Sequence, residues 1–253
     1  MCRLLGVVSA EPAPLTEILT DELEPFSRLA SVHCDGWGLA AWTPAGDLDL
    51  HRQTTAALVE PGLIDVCERT TTDAALMHLR KASAGMAVST ENTHPFSAGS
   101  IAFAHNGFFQ LNPEVDKLLE GLNAVPPVGE TDSERYFSLV LALMRTNDPA
   151  SAMLRAATMI GELAEVEALN TMMLTHQALY AFAFYDEKAV PADPEAHSYE
   201  LRFRVSERAV LVASSGWEQP LPTWEPLVSG TVLEIRRSDL RVSIHRLAAS
   251  CYR

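Results

Sequence analysis

The sequence predicts an α+β fold on three observations. Its N-terminal part alternates short apolar runs with turn residues, its middle carries long stretches of helical spacing, and its last third returns to strand-length apolar runs. Strands, then helices, then strands describe packed layers, whereas a parallel sheet would need regular βαβ alternation.

In chain order, "LLGVVS", "WGLAAWT", "LDLHRQT", "ALMHLRK" and "SIAFAHNG" read as strands. Between them "PLTEILTDELEPFSRLA" and "PGLIDVCERTT" have helix-like spacing, with Pro25 interrupting the first. The stretch "TDSERYFSLVLALMRT" places Tyr136, Leu139, Val140 and Met144 near one helical face. After "NDPAS", "AMLRAATMIGELAEVEAL" continues the helical pattern. Six strands follow: "NTMMLTH", "ALYAFAFYD", "ELRFRVS", "AVLVASS", "TVLEIRR" and "RVSIHRL". The Pro-rich "AVPADPEAHS" reads as a loop and not a linker, because the strands flanking it need partners. Residues 1–253 are therefore expected to form a single domain.

Composition narrows the function classes. Hydrophobic residues make up 47% and charged residues 21% of 253, an ordinary globular balance. A net charge of −14 argues against a nucleic-acid partner, which needs a clustered basic face. No apolar run approaches bilayer length, and the start lacks a basic segment followed by a long apolar one; a cytoplasmic protein with no membrane partner is expected. "EPAPLTEILTDELEP" and "GELAEVEA" read as solvated acidic helix faces. Cys2, Cys34, Cys67 and Cys251 form no C-x-x-C and no zinc-like pairing, so neither metal nor cofactor is expected. The last three read as small hydrophobes in or near the core.

Four motifs carry chemistry beside a structural reading. In "AHNGFF", Asn-Gly between apolar runs is a hairpin-turn signal. Alternatively, the Asn106 amide and the Gly107 N–H form a pair of oxyanion donors. In "GETDSERYF", Thr131 and Glu134 fit a capping box, and Asp132 suits either the first helical turn or a substrate ammonium. In "MHLRKASAG", Arg80 is a surface residue or a bidentate carboxylate ligand, with Ser83 and Gly85 suited to a ligand-approaching loop. In "HCDGWGLA", Asp35-Gly36 reads as a turn and Trp37 as packing.

With Cys2 at the front, these pieces in this order resemble the class II glutamine amidotransferases, whose nucleophile is an N-terminal cysteine. The matching motifs are M-C-R-L-L-G, D-G-W-G-L-A, H-L-R-K-A-S-A-G, N-T-H-P-F, H-N-G-F-F and G-E-T-D-S-E. The likeness is strongest to the small stand-alone branch, which includes the ergothioneine-pathway γ-glutamyl hydrolase and glutathione-degrading fungal proteins. It implies a four-layer αββα sandwich with two mainly antiparallel sheets. It implies Cys2 as nucleophile once Met1 is removed, and Asn106 and Gly107 as oxyanion hole. Arg80 would hold the α-carboxylate, Asp132 the α-ammonium, and Ser83 would line the glutamine site. Where the sugar-phosphate members of the family have tryptophan and histidine, this chain has Lys81 and Ala84.

The chemistry of an N-terminal cysteine is self-contained. A free α-amino group, with a pKa of roughly 8, can act as base for the thiol on the same residue. The small-molecule substrate implied is glutamine or a γ-glutamyl amide, cleaved through a γ-glutamyl thioester. A glutaminase subunit serving a synthase partner is the alternative within the enzymes, and an inert γ-glutamyl-binding protein the alternative outside them. Homo-oligomerisation is compatible with each.

Overall fold

The computed structural model describes residues 2–83, 85–185 and 199–246. Met1, Cys251 and the loop expected at 189–198 lie outside the described residues. In chain order the elements are β1 (Arg3–Pro14), α1 (Leu15–Ile18), α2 (Leu23–Arg28), β2 (Trp37–Trp42), β3 (Leu48–Gln53), α3 (Leu63–Arg69), β4 (Thr71–Leu79), β5 (Phe96–Ala98), β6 (Ile101–Phe109), α4 (Pro113–Gly121), α5 (Asp132–Met144), α6 (Pro149–Leu163), β7 (Val166–Leu174), β8 (Ala178–Ala183), β9 (Leu201–Val205), β10 (Ala209–Ser214), β11 (Glu225–Pro226), β12 (Thr231–Arg236) and β13 (Val242–Arg246).

Two antiparallel sheets result. Sheet A has seven strands in the order β11-β9-β10-β1-β4-β2-β3, and sheet B six in the order β13-β12-β8-β7-β6-β5. Side-chain alternation along β1 shows how they stack. Leu4 and Val8 join a core shared with Ala104, Met172, Leu179 and Leu233 of sheet B. Leu5 and Val7 point the other way, against Leu15, Leu19, Phe26 and Leu63 of the first helices. Sheet B in turn buries Phe103, Leu169 and Phe182 against Tyr136, Val140, Met153 and Ile160 of α5 and α6. The order helices, sheet A, sheet B, helices is the four-layer α+β sandwich. Each fully buried leucine in these layers contributes about 2–3 kcal/mol by transfer from water. Gly6 keeps the sheets close, since a Cβ there would lie 2.7 Å from Leu179 Cδ2.

Several local expectations are overturned. Asn106-Gly107 is no turn: both residues lie inside β6, which runs on to Phe109. The helical pattern expected to reach residue 169 stops at Leu163, and Val166 opens β7. A short apolar run suits either element, and here pairing of β7 with β6 on one side and β8 on the other decides it. Thr131 caps α5 by accepting from Glu134 N at 3.1 Å, but the Glu134 carboxylate turns to the Val128 and Gly129 N–H groups instead of completing a box. Pro25 is tolerated in the first turn of α2, and the break falls earlier, at Leu19–Glu22. Cys67 is buried as expected, whereas Cys34 is exposed. Glu22 is not solvated: it is buried, paired with Arg204 at 3.0 Å, and accepts from Trp217 Nε1 at 2.6 Å. No helix among the described residues is long and apolar enough to cross a membrane.

Candidate active site

Cys2 stands just ahead of β1, whose Arg3 pairs with Leu79 at the end of β4. That register sets Cys2 beside the segment leaving β4. Lys81 N donates to Cys2 Sγ at 3.4 Å, and the thiol lies 3.6 Å from the Lys81 carbonyl. Across the gap between sheets, Cys2 N donates to Asn106 Oδ1 at 2.8 Å. Burial pushes the thiol pKa up, opposed by the Lys81 N–H and by the charges of the N-terminus, Arg80 and Arg3. A half-buried thiol whose pKa is raised keeps its proton until a base takes it.

Arg80 is buried, not a surface residue. Its Nη2 donates to Ala87 O at 2.9 Å and its Nη1 to Asp35 O at 3.4 Å. Asp35 does more than turn the chain, because its carboxylate also accepts from Ala82 N at 2.8 Å. Gly36 follows with φ +129°, where a Cβ would sit 2.8 Å from Gln53 O, so the turn needs glycine. Ser83 is exposed and closes a turn in which Met86 N donates to its carbonyl at 3.0 Å.

Alternation along β6 sends Asn106 toward sheet A and His105 toward the helices. His105 Nε2 lies 3.2 Å from Ala168 O, which can only accept, so Nδ1 accepts from the Ser133 hydroxyl at 2.8 Å. Burial lowers the His105 pKa against the opposing charge of Asp132, and the ring is neutral. Asp132, first residue of α5, accepts from Ser133 N at 2.8 Å and from Phe109 N at 3.1 Å. Gly107 has no room for a side chain: a Cβ would lie 2.0 Å from Ala168 O. Behind Arg80, His78 and His94 are buried with ring centroids 4.3 Å apart. Burial and then the Arg80 charge drive the His78 pKa down to about 3.

Cys2, Arg80, Ser83, Gly107 and Asp132 all line one cleft of about 190 Å³, and Asn106 lies beneath it against Cys2. The six residues singled out from the sequence therefore converge. Met86, Asn92, Phe108, Thr131, Glu167 and Tyr199 complete much of the wall. Asn92 joins two wall segments, accepting from Glu130 N at 3.0 Å and donating to Ala87 O at 3.3 Å. Sequence reasoning missed Glu167, placing it on a solvated helix, and missed Tyr199, whose hydroxyl donates to Glu167 Oε1 at 2.8 Å. No cluster of metal-ligating side chains occurs among the described residues.

A family model described as class-II glutamine amidotransferases matches residues 1–247. The chain belongs to that family. YafJ of Escherichia coli K12 is 30% identical over 200 residues, which cover 73% of this amidotransferase and 72% of that protein. Glutamine–fructose-6-phosphate aminotransferase of Gluconobacter oxydans is 32% identical over 147 residues, covering 55% of this chain and 22% of that enzyme. An uncharacterised Methanocaldococcus jannaschii protein is 33% identical over 149 residues, 56% of this chain and 38% of its own. The matched region thus spans less than half the length of the last two of these relatives. Among solved structures, a class-II domain protein of Silicibacter pomeroyi superposes with TM-score 0.65 at 22% identity, covering 98% of this chain and all of that one. The Bacillus subtilis glutamine phosphoribosylpyrophosphate amidotransferase gives TM-score 0.65 at 17% identity, over 98% of this chain and 50% of that one. These two likenesses concern the fold.

Proposed function

We propose that residues 1–253 act as one amidohydrolase domain that cleaves a γ-glutamyl amide through Cys2. The observation that carries this reading is the 2.8 Å contact between Cys2 N and Asn106 Oδ1, in a cleft that also holds Arg80 and Asp132. While Met1 is attached, Cys2 N is an amide nitrogen and no base. Removal of Met1 converts it to an α-amine, held by Asn106 on the same residue as the thiol.

The chemistry then follows in balanced steps. The amine takes the thiol proton, and the sulfur attacks the γ-carbonyl carbon. The Gly107 N–H and the Asn106 Nδ2 end stabilise the oxyanion; one such donor is worth about 3 kcal/mol. The C–N bond breaks as the protonated α-amine returns a proton to the leaving nitrogen, giving a γ-glutamyl thioester. Water attacks the thioester, the C–S bond breaks, and glutamate leaves with the thiol restored. Arg80 binds the α-carboxylate, Asp132 the α-ammonium, and Ser83 borders the chain between them. Fixing both ends of the amino acid sets the carbonyl against sulfur.

The test is glutamate release from a panel of glutamine, glutathione and γ-glutamyl amides, with intact mass measured alongside. Activity is expected only in preparations that have lost Met1, and a Met1-retaining protein with full activity overturns the reading. A second reading, a glutaminase passing ammonia to a synthase, is favoured by relatives that extend far beyond the matched region. Glutaminase activity that rises on adding a co-purified partner would select it.

A further inference from the structure

Two charged side chains line the cleft that the reaction above does not use, the exposed Lys81 and Glu167, and no ion pair joins them among the described residues. Glu167 lies where β6 and β7 slip register: Phe108 faces Ala168, but Phe109 faces Val166. Glu167 is thus the extra residue of a β-bulge, a device that re-aims a side chain out of the strand's alternation. It lines the same cleft as Cys2 and Gly107. The buried Tyr199 hydroxyl grips one oxygen at 2.8 Å, and the Tyr199 carbonyl is itself held by Asn170 Nδ2 on β7. Burial and the neighbouring Glu167 raise the Tyr199 pKa, so the phenol keeps its proton and donates. Glu167 has no cationic partner among the described residues, and Oε2 makes no hydrogen bond there.

Charge matching then leaves a remainder. A glutamyl head brings one carboxylate for Arg80 and one ammonium for Asp132. Ammonia, the leaving group of glutamine, needs no counter-charge. A carboxylate held in place by a neutral hydroxyl, half out of water, is stabilised by a cation or a strong donor. Beside it Phe108 is 44% exposed and also lines the cleft, an apolar surface suited to methylene groups.

We propose that Glu167, oriented by Tyr199, determines specificity for γ-glutamyl amides whose leaving amine carries a second positive charge, as in a γ-glutamyl diamine. This rests on the amidohydrolase reading and names its substrate class. The leaving group's alkyl chain lies along Phe108 and its distal ammonium meets Glu167 Oε2.

The experiment compares mono-γ-glutamyl-1,4-diaminobutane with the uncharged γ-glutamyl-n-pentylamide, which is matched in length. The parent enzyme is expected to favour the cationic amide in kcat/KM by about ten-fold or more, the usual worth of a charged hydrogen bond. Glu167→Gln should bring that ratio close to one, and Tyr199→Phe should lower it part-way. No preference in the parent, or an equal loss on both amides in Glu167→Gln, overturns the proposal, since Glu167 would then serve the common glutamyl end or the fold. Binding of both amides to the Cys2→Ala protein, read by calorimetry, separates this proposal from the reading beneath it. If no γ-glutamyl compound is turned over, glutamine included, the amidohydrolase reading fails; tighter binding of the cationic amide still supports the Glu167 subsite, and equal binding overturns it.

Discussion

Sheet A and sheet B bring unlike groups to the cleft. Sheet A supplies a thiol and a cation, Cys2 ahead of β1 and Arg80 just past β4, both held by loop backbone. Sheet B and its helices supply the amide of Asn106, the bare backbone of Gly107 and two carboxylates, Asp132 and Glu167, all built into strands or a helix start. An amino-acid head with its own opposed charges can therefore span the gap between the sheets. The contrast also teaches where damage should fall. Changes on the sheet A side should mainly touch chemistry and binding, and changes on the sheet B side should touch folding as well.

The largest expected effect tests the sheet A side at its nucleophile. Cys2→Ala should lower kcat by about 10⁴ or more with little change in thermal midpoint, in line with loss of other acyl-transfer nucleophiles. A variant with measurable parent-like turnover would remove Cys2 from the mechanism. On the opposite side, Gly107→Ala should cost both activity and about 2–4 kcal/mol of stability, because its Cβ would lie 2.0 Å from a strand carbonyl. Urea unfolding showing an unchanged midpoint would break the contrast between the sheets.

A smaller effect sharpens the charge sorting. Arg80→Lys, which keeps the charge but loses the two-pronged guanidinium geometry, and Asp132→Asn, which removes one partner of a desolvated charge pair, should each reduce kcat/KM by about 10²-fold. Asp132→Asn should also lower stability, since that carboxylate accepts from two backbone N–H groups at the start of α5. Arg80→Lys with the larger loss of stability would reverse the assignment.

The smallest effect concerns pH. His78 has an ordinary value of 6.5 and is held at about 3 in the fold, with His94 also well below 6.5. Between those pH values the unfolded chain binds protons that the folded chain does not. Stability is therefore full above pH 6.5 and is lost as pH falls toward 3, by about 1.4 kcal/mol per pH unit for each such histidine. Replacing His78 with Phe should flatten that slope between pH 6 and 4, read by denaturant midpoints. An unchanged slope would show that His78 does not contribute to it.

Legibility differed between the two sides as well. The Cys2, Arg80 and Asp132 positions could be picked out because the motifs around them resemble those of the class II glutamine amidotransferases; residue type alone left each with a structural reading as well. The β1, β2, β4 and β6 strands were legible from apolar runs, and α5 from its period. Asn106-Gly107 misleads as a turn signal, because local propensity for a hairpin is outweighed by nine residues of pairing along β6. Glu167 was hidden for a related reason. Its stretch "EVEAL" suits a helix locally, and only the neighbours β6 and β8 make it a strand.

The sequence by itself determined the layered α+β class and most of its elements, which follow from hydrophobic period, and the resemblance of its motifs to a known family implied the residues that converge on the cleft. The tertiary structure alone decided that Cys2 N meets Asn106, that Arg80 is buried on Asp35 and Ala87, and that a bulge turns Glu167 into the cleft. Strand register sets each of those contacts, and register is a property of pairing between segments distant in the chain.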